Sequence, residues 1–301
     1  MFWIGLCLGI SYSGVAQQRP VYSQYMFNGL ALNPAYAGSQ KQFNAMAVLR
    51  TQWVNLEGSP RTQMLSAHTP IPRKNVGVGL MLTHESIGVH TDWGAYASYA
   101  YQIKFKKQKA MLSLGLQGGV NVRASDYSKA TYQTANDPLV DTYSTTSPNF
   151  GAGAYYSTKR AYVGFSVPFI LENSAYDNLP EGAVTTGTES RYYYMTAGKV
   201  MPITDKVLVK PSVLVRYQEN QPFGYDLSFN TYFNDVISVG ASYRNGDAIL
   251  VMAQMFLNEN FAFGYAYDYT LSSLNTVSHG SHEVMLNYKI LLSPEPCHPY
   301  F

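Results

Sequence analysis

The chain is short of charge and of cysteine. Only 13% of its 301 residues are Asp, Glu, Lys or Arg, and 21 basic against 19 acidic side chains leave a net charge of +2. So small a surplus cannot hold a phosphate backbone, which excludes a nucleic-acid partner. Beyond the N-terminus no apolar run approaches the roughly 20 residues a membrane-spanning helix needs. The cysteines number two, Cys7 and Cys297. Cys7 lies within the apolar stretch Met1 to Ile10, away from the small residues Gly14-Val15-Ala16 that a signal peptidase reads, so residues 1–16 are expected to be a signal peptide and not a lipoprotein leader. Its removal leaves Cys297 as a lone thiol, unable to close an internal disulfide.

Hydrophobic residues are plentiful at 46%, with 26 Tyr and 14 Phe, and a chain of that composition is not a disordered tail. Mean hydropathy is nevertheless only −0.14. An all-β soluble protein and a transmembrane β-barrel, whose polar lumen and apolar exterior average out, both satisfy these numbers.

Period-2 alternation recurs along the chain. Leu112, Leu114, Leu116, Gly118, Val120 and Val122 share one face, with Ser113, Gln117, Asn121 and Arg123 on the other. The split returns at Val207 to Tyr217 against Lys206, Lys210, Ser212 and Arg216. It returns again at Phe223 to Phe233 against Asp226, Ser228, Asn230 and Asn234, at Phe261 to Tyr269, and at Val284 to Ile290 against Glu283, Asn287 and Lys289. Runs of about ten residues cross a bilayer at a tilt.

The connections separate a barrel from a sandwich. About fourteen strands can be read, centred from Leu49 to Leu286. The even-to-odd connections, Pro70 to Asn75, Lys106 to Gln108, Ser157 to Arg160, Pro202 to Asp205, Asn234 to Asp235 and Asn258 to Asn260, are all short. The long insertions, Ala124 to Ser147, Pro168 to Ser190 and Thr270 to His279, all fall in the odd-to-even set. Short periplasmic turns and long outer loops give a barrel that asymmetry, whereas a sandwich has no reason for parity. The expected fold is therefore all-β, a transmembrane antiparallel barrel over residues 41–292. An N-terminal plug-like segment at 17–40 should lie in or near the lumen, and a tail follows at 293–301. Tyrosine-rich strands with Trp53 and Trp93 at their ends suit the bilayer interfaces.

Nothing in the chain converges on chemistry. His84 and His90 flank Glu85 on an expected outer loop, without the helical spacing that aims two imidazoles at one metal. Ser281, His282 and Glu283 are consecutive on a strand and so alternate between faces, which defeats a hydrolase triad. Gly77-Val78-Gly79 lacks a third glycine and a following helix, so it is no nucleotide loop. No catalytic, cofactor or metal site is expected.

One segment is not a barrel strand. Tyr22-Ser23-Gln24-Tyr25-Met26-Phe27-Asn28 and Asn33-Pro34-Ala35-Tyr36-Ala37-Gly38 are aromatic and amide-rich, with Pro34 forcing a turn. This run resembles the N-terminal signature of the PorP/SprF family of outer-membrane proteins associated with type IX secretion in Bacteroidetes. The resemblance continues at Arg50-Thr51-Gln52-Trp53 with Gly58-Ser59-Pro60, at Gly240-Ala241-Ser242-Tyr243-Arg244, and at Gly264-Tyr265-Ala266-Tyr267-Asp268 with Gly280-Ser281-His282-Glu283. It covers nearly the whole chain after the signal. It implies a non-enzymatic outer-membrane component working with the type IX machinery, while the loop asymmetry puts both termini on the periplasmic side. Such a component helps deliver or anchor secreted adhesins at the cell surface, in some members through a cargo C-terminal domain, and serves gliding motility. A passive porin with Lys206, Lys210 and Arg216 tuning ion flow is the alternative.

The candidate lumen or partner-binding residues are Tyr25, Asn28, Asn33, Pro34, Arg50, Gln52, Asp268 and Glu283. Barrel closure must pair the strand around Leu49 with the strand around Leu286. Alternation then sends Leu49 and Leu286 to lipid, and Arg50, Gln52 and Glu283 inward. Arg50 should meet Glu283 across the seam, with Asp268 competing for it.

Overall fold

The computed structural model describes residues 22–40, 42–129, 142–173, 191–219 and 221–292. The expected signal peptide and Cys297 lie outside these residues. The strands are β1 (Gln42–Thr51), β2 (Arg61–Pro70), β3 (Val76–Ile87), β4 (His90–Phe105), β5 (Ala110–Asp126), β6 (Thr142–Ser157), β7 (Ala161–Val167) and β8 (Tyr192–Lys199). They continue as β9 (Met201–Thr204), β10 (Val207–Gln218), β11 (Gly224–Phe233), β12 (Ile237–Arg244), β13 (Ala248–Phe256), β14 (Phe261–Thr270) and β15 (Ser281–Leu291). Both β8 and β9 pair with β10, so they form one wall strand interrupted at Val200. Each strand pairs antiparallel with its sequence neighbours and β1 pairs with β15, giving a closed 14-stranded barrel. Among the described residues no helix is long and apolar enough to cross a membrane.

The alternation read from the sequence becomes the two faces of the wall. Leu49, Leu65, Leu116, Phe165, Leu227 and Val251 stand exposed on the outside, while Arg50, Thr62, Ser66, Gln117, Asn230 and Glu283 are buried inside. An apolar band of this extent is stable only when lipid covers it. The interior is not uniformly polar, however. Met46, Val48, Met64, Met81 and Met285 face inward and pack around Ala31 of the N-terminal segment.

Several strand ends differ from expectation. The span Ala124 to Ser147 is partly strand, because β5 runs on to Asp126 and β6 starts at Thr142. Hydroxyl-rich residues there keep the backbone ladder without an apolar face, so the alternation fades before the strand does. Pro202 belongs to β9 and not to a turn; the register shift beside it at Val207/Leu208 accommodates a residue that donates no hydrogen bond. His84, Glu85 and His90 also sit on strands and not on a loop, in the hairpin that β3 and β4 form around Gly88.

A sealed lumen as the candidate functional site

The segment from Tyr22 to Gln40 threads the lumen as three short 3-10 turns, Tyr25–Phe27, Gly29–Ala31 and Pro34–Tyr36. Pro34 sits at the start of the third turn, where its missing N–H costs nothing, and the Asn33 side chain caps that turn by accepting from Ala35 N at 2.9 Å. Nearly every residue of the segment is buried. It starts beside the long-loop ends of β14 and β15, passes Asn33 midway, and reaches the short-turn end where Gln102 Nε2 donates to Gly38 O at 2.8 Å.

The upper anchor is ionic. Glu283 accepts the backbone N–H of Ser23 at one oxygen and that of Gln24 at the other, both at 2.8 Å. Ser23 Oγ donates to Asp268 at 2.6 Å and receives a hydrogen bond from Arg50 Nη1. Arg50 Nη2 lies 2.8 Å from Asp268, and Nη1 lies 3.4 Å from Glu283. The cluster continues through Arg244, 3.5 Å from Asp268 and 3.0 Å from Asp226, to Arg216, 2.9 Å from Asp226. Three guanidinium groups thus face three carboxylates in a buried cluster, with Asp247 touching Arg244 at 3.6 Å from the exposed rim. Charges so buried are tolerable only while each keeps its partners.

Below this cluster, Tyr25 bonds Ser228 Oγ at 3.1 Å. Burial pushes its phenol up to about 12 and Asp226 adds to the effect, while the Ser228 bond opposes it. Burial raises Tyr36 as well, against the bond from Gln40. Asn28 Nδ2 donates to Ser66 Oγ at 3.2 Å, and Asn33 Nδ2 donates to the wall carbonyls of Ala154 and Phe165 at 3.0 and 3.3 Å. Lys210 donates to Met26 O at 3.2 Å with the Phe27 and Tyr162 rings about it. Gly77 and Gly115 let the segment lie against the wall, since a Cβ on either would stand 2.0 Å from Ala37 O or 2.2 Å from Ala35 N. Among the described residues, two cavities beside the segment measure about 20 and 30 Å³, little more than room for a water molecule each.

Among the candidates from sequence, Arg50, Asp268 and Glu283 come together, with Tyr25 one shell below and Asn28, Asn33 and Pro34 further down the lumen. Gln52 stands apart. It lies past the end of β1, half-buried, with its backbone N–H on Pro60 O, and takes no part in the ionic cluster. Sequence reasoning missed Ser23, Gln24, Asp226 and Arg244, and read Arg216 only as a porin charge. Asp226 and Arg216 were visible on inward faces, and asking which inward charges balance one another would have grouped them.

No curated protein matches the chain in sequence. Solved structures of similar shape include the CymD monoaromatic hydrocarbon channel, at 13% identity over 87% of this chain and 92% of that one, with a TM-score of 0.52. Another is the P. putida toluene transporter TodX, at 11% identity over 92% and 94%, with a TM-score of 0.51. At these identities the likeness establishes the outer-membrane barrel fold alone. The sequence itself carries the family: the model of the type IX secretion system membrane protein PorP/SprF matches residues 14–288, and the chain belongs to that family of non-enzymatic outer-membrane barrels linked to type IX secretion.

Proposed function

We propose that this barrel is a closed docking component of the type IX apparatus, one that helps deliver or hold secreted proteins such as adhesins at the cell surface. The barrel end with the short turns faces the periplasm and the machinery. The long loops face outward, where the C-terminal domain of a secreted cargo is the candidate ligand. The carrying observation is the filled lumen. A passive porin needs a continuous aqueous path, and the Tyr22–Gln40 segment, bonded to the wall at both ends, occupies that path. Convergent acids, bases or nucleophiles do not enter the account, because the lumenal charges described above are paired with one another or bonded to the segment.

Mild detergent extraction of the tagged full chain from its native cell, followed by identification of what co-purifies, tests the docking role. Secretion-machinery subunits or a surface protein bearing a C-terminal sorting domain are the expected companions. Purification of a barrel that carries neither and conducts ions steadily in a planar bilayer would favour the porin.

A further inference from the structure

Strand register sorts the outward residues of one arc of the wall into rows. Phe263, Leu286, Ala47, Leu65, Leu82 and Ala95 are successive register partners across β14, β15, β1, β2, β3 and β4, and all are apolar. Two residues nearer the long-loop rim, the row reads Tyr265, Val284, Leu49, Gln63, His84 and Trp93. Two further on it reads Tyr267, His282, Thr51, Arg61, Ser86 and Thr91. The wall therefore passes from hydrocarbon to headgroup chemistry within four residues of each strand.

What distinguishes this arc is one cation flanked by two imidazoles. His282, Arg61 and His84 sit on β15, β2 and β3, and strands spaced about 4.8 Å apart put the first two some 10 Å from each other across β1. Neither polar row contains Asp or Glu: Glu85 points to the lumen beside Asp92, and Glu57 lies in the loop between β1 and β2. Arg61 is exposed and meets no acidic side chain among the described residues. His84 lies on the Trp93 ring, centroids 4.1 Å apart, and His282 Nδ1 is 2.7 Å from Tyr265 OH, so both imidazoles are held in place on the outer surface. Around the opposite arc the outward positions near the same rim are aromatic instead, with Tyr193 against Tyr217 and Tyr225 against Tyr243.

We propose that the arc formed by Arg61, His84 and His282 is a binding site for a phosphorylated glycolipid of the outer leaflet. Guanidinium and imidazole engage the headgroup phosphates, Thr51, Gln63 and Tyr265 are placed for its sugar hydroxyls, and the apolar row beneath receives its acyl chains. Such a site fixes which side of the barrel carries bound lipid, leaving the aromatic arc free for protein neighbours. It depends on the long-loop end facing outward, as in the function proposed above, but not on any cargo.

The test is native mass spectrometry of the detergent-purified full chain with added lipid A, phosphatidylglycerol or phosphatidylcholine. Lipid A should be retained in preference to phosphatidylcholine. The R61Q/H84Q/H282Q variant, shown to be folded by its heat-dependent gel shift, should lose at least about tenfold in lipid A retention, the size of one lost charge-assisted contact. Lys199→Gln, which removes an outward cation at the short-turn rim, should change nothing. Equal retention of lipid A by wild type and triple variant overturns the site, as does equal retention of lipid A and phosphatidylcholine. Displacement of lipid A by millimolar inorganic phosphate would make it a free-anion site and overturn the lipid assignment. Retained cargo or machinery binding in the triple variant separates failure of this site from failure of the docking role.

Discussion

Arg50 and Glu283 are direct register partners across the seam between β1 and β15, yet the shorter ion pair of Arg50 is with Asp268, one strand further on. The guanidinium is therefore shared between two strands and Ser23 of the lumenal segment, and its removal takes the nearest cation from two carboxylates at once. Arg50→Met is expected to cost about 3–5 kcal/mol, the range for breaking a buried pair by one partner. Urea unfolding of the refolded barrel reads the loss. Adding Glu283→Gln to Arg50→Met should recover part of it, because one orphaned charge disappears; a double variant worse than Arg50→Met would mean that the carboxylate serves mainly the Ser23 and Gln24 amides.

Removal of residues 17–40 should turn a silent protein into a conducting one. Planar-bilayer recording of the wild type is expected to show a closed baseline, and of the deletion a stable open level. Matching conductance in the two would show that the segment does not obstruct the pore.

Gly77→Ala and Gly115→Ala should each dislodge the segment while sparing the barrel, since the added methyl meets backbone and not a yielding side chain. Flickering openings with an intact heat-modifiable band are the expected signature. Gly118→Ala, whose methyl would meet only the Phe150 ring at 3.5 Å, serves as the tolerated control.

Tyr25 sets an alkaline limit. Its phenol is held above the ordinary value of 10.0 when folded and ionises near that value when unfolded, so the stability it contributes is intact below about pH 10 and drains away as pH rises further. The stability difference between wild type and Tyr25→Phe should shrink by about 2–3 kcal/mol between roughly pH 10 and 12. A constant difference across that range would show that the hydroxyl reaches solvent.

Strand number, closure and the Arg50–Glu283 register were legible because each follows from period-2 alternation and the need to pair the two edges. The partnership of Asp226 with Arg244 and Arg216 was less so. These residues are inward on their strands, but which inward charge meets which depends on the reach of a side chain inside a closed ring. The inward methionines escaped for a different reason. Alternation distinguishes the two faces by polarity, and Met46, Met64 and Met285 blur that contrast by giving the lumenal segment an apolar bed. Beyond the hydrocarbon zone, where residues such as Ser144 and Thr145 no longer need an apolar side, the pattern that betrays a strand vanishes although β6 persists.

The bond from Ser23 to Glu283 joins residues 260 positions apart, so the start of the lumenal segment is clasped by the last strand to be made. Closure of the wall and the grip on Ser23 and Gln24 therefore draw on the same strand, β15, through contacts of long sequence separation. A nascent or C-terminally truncated chain lacks both the hem of the barrel and the clasp on its stopper. Loss of β15 therefore opens the wall and releases the upper anchor of the segment together.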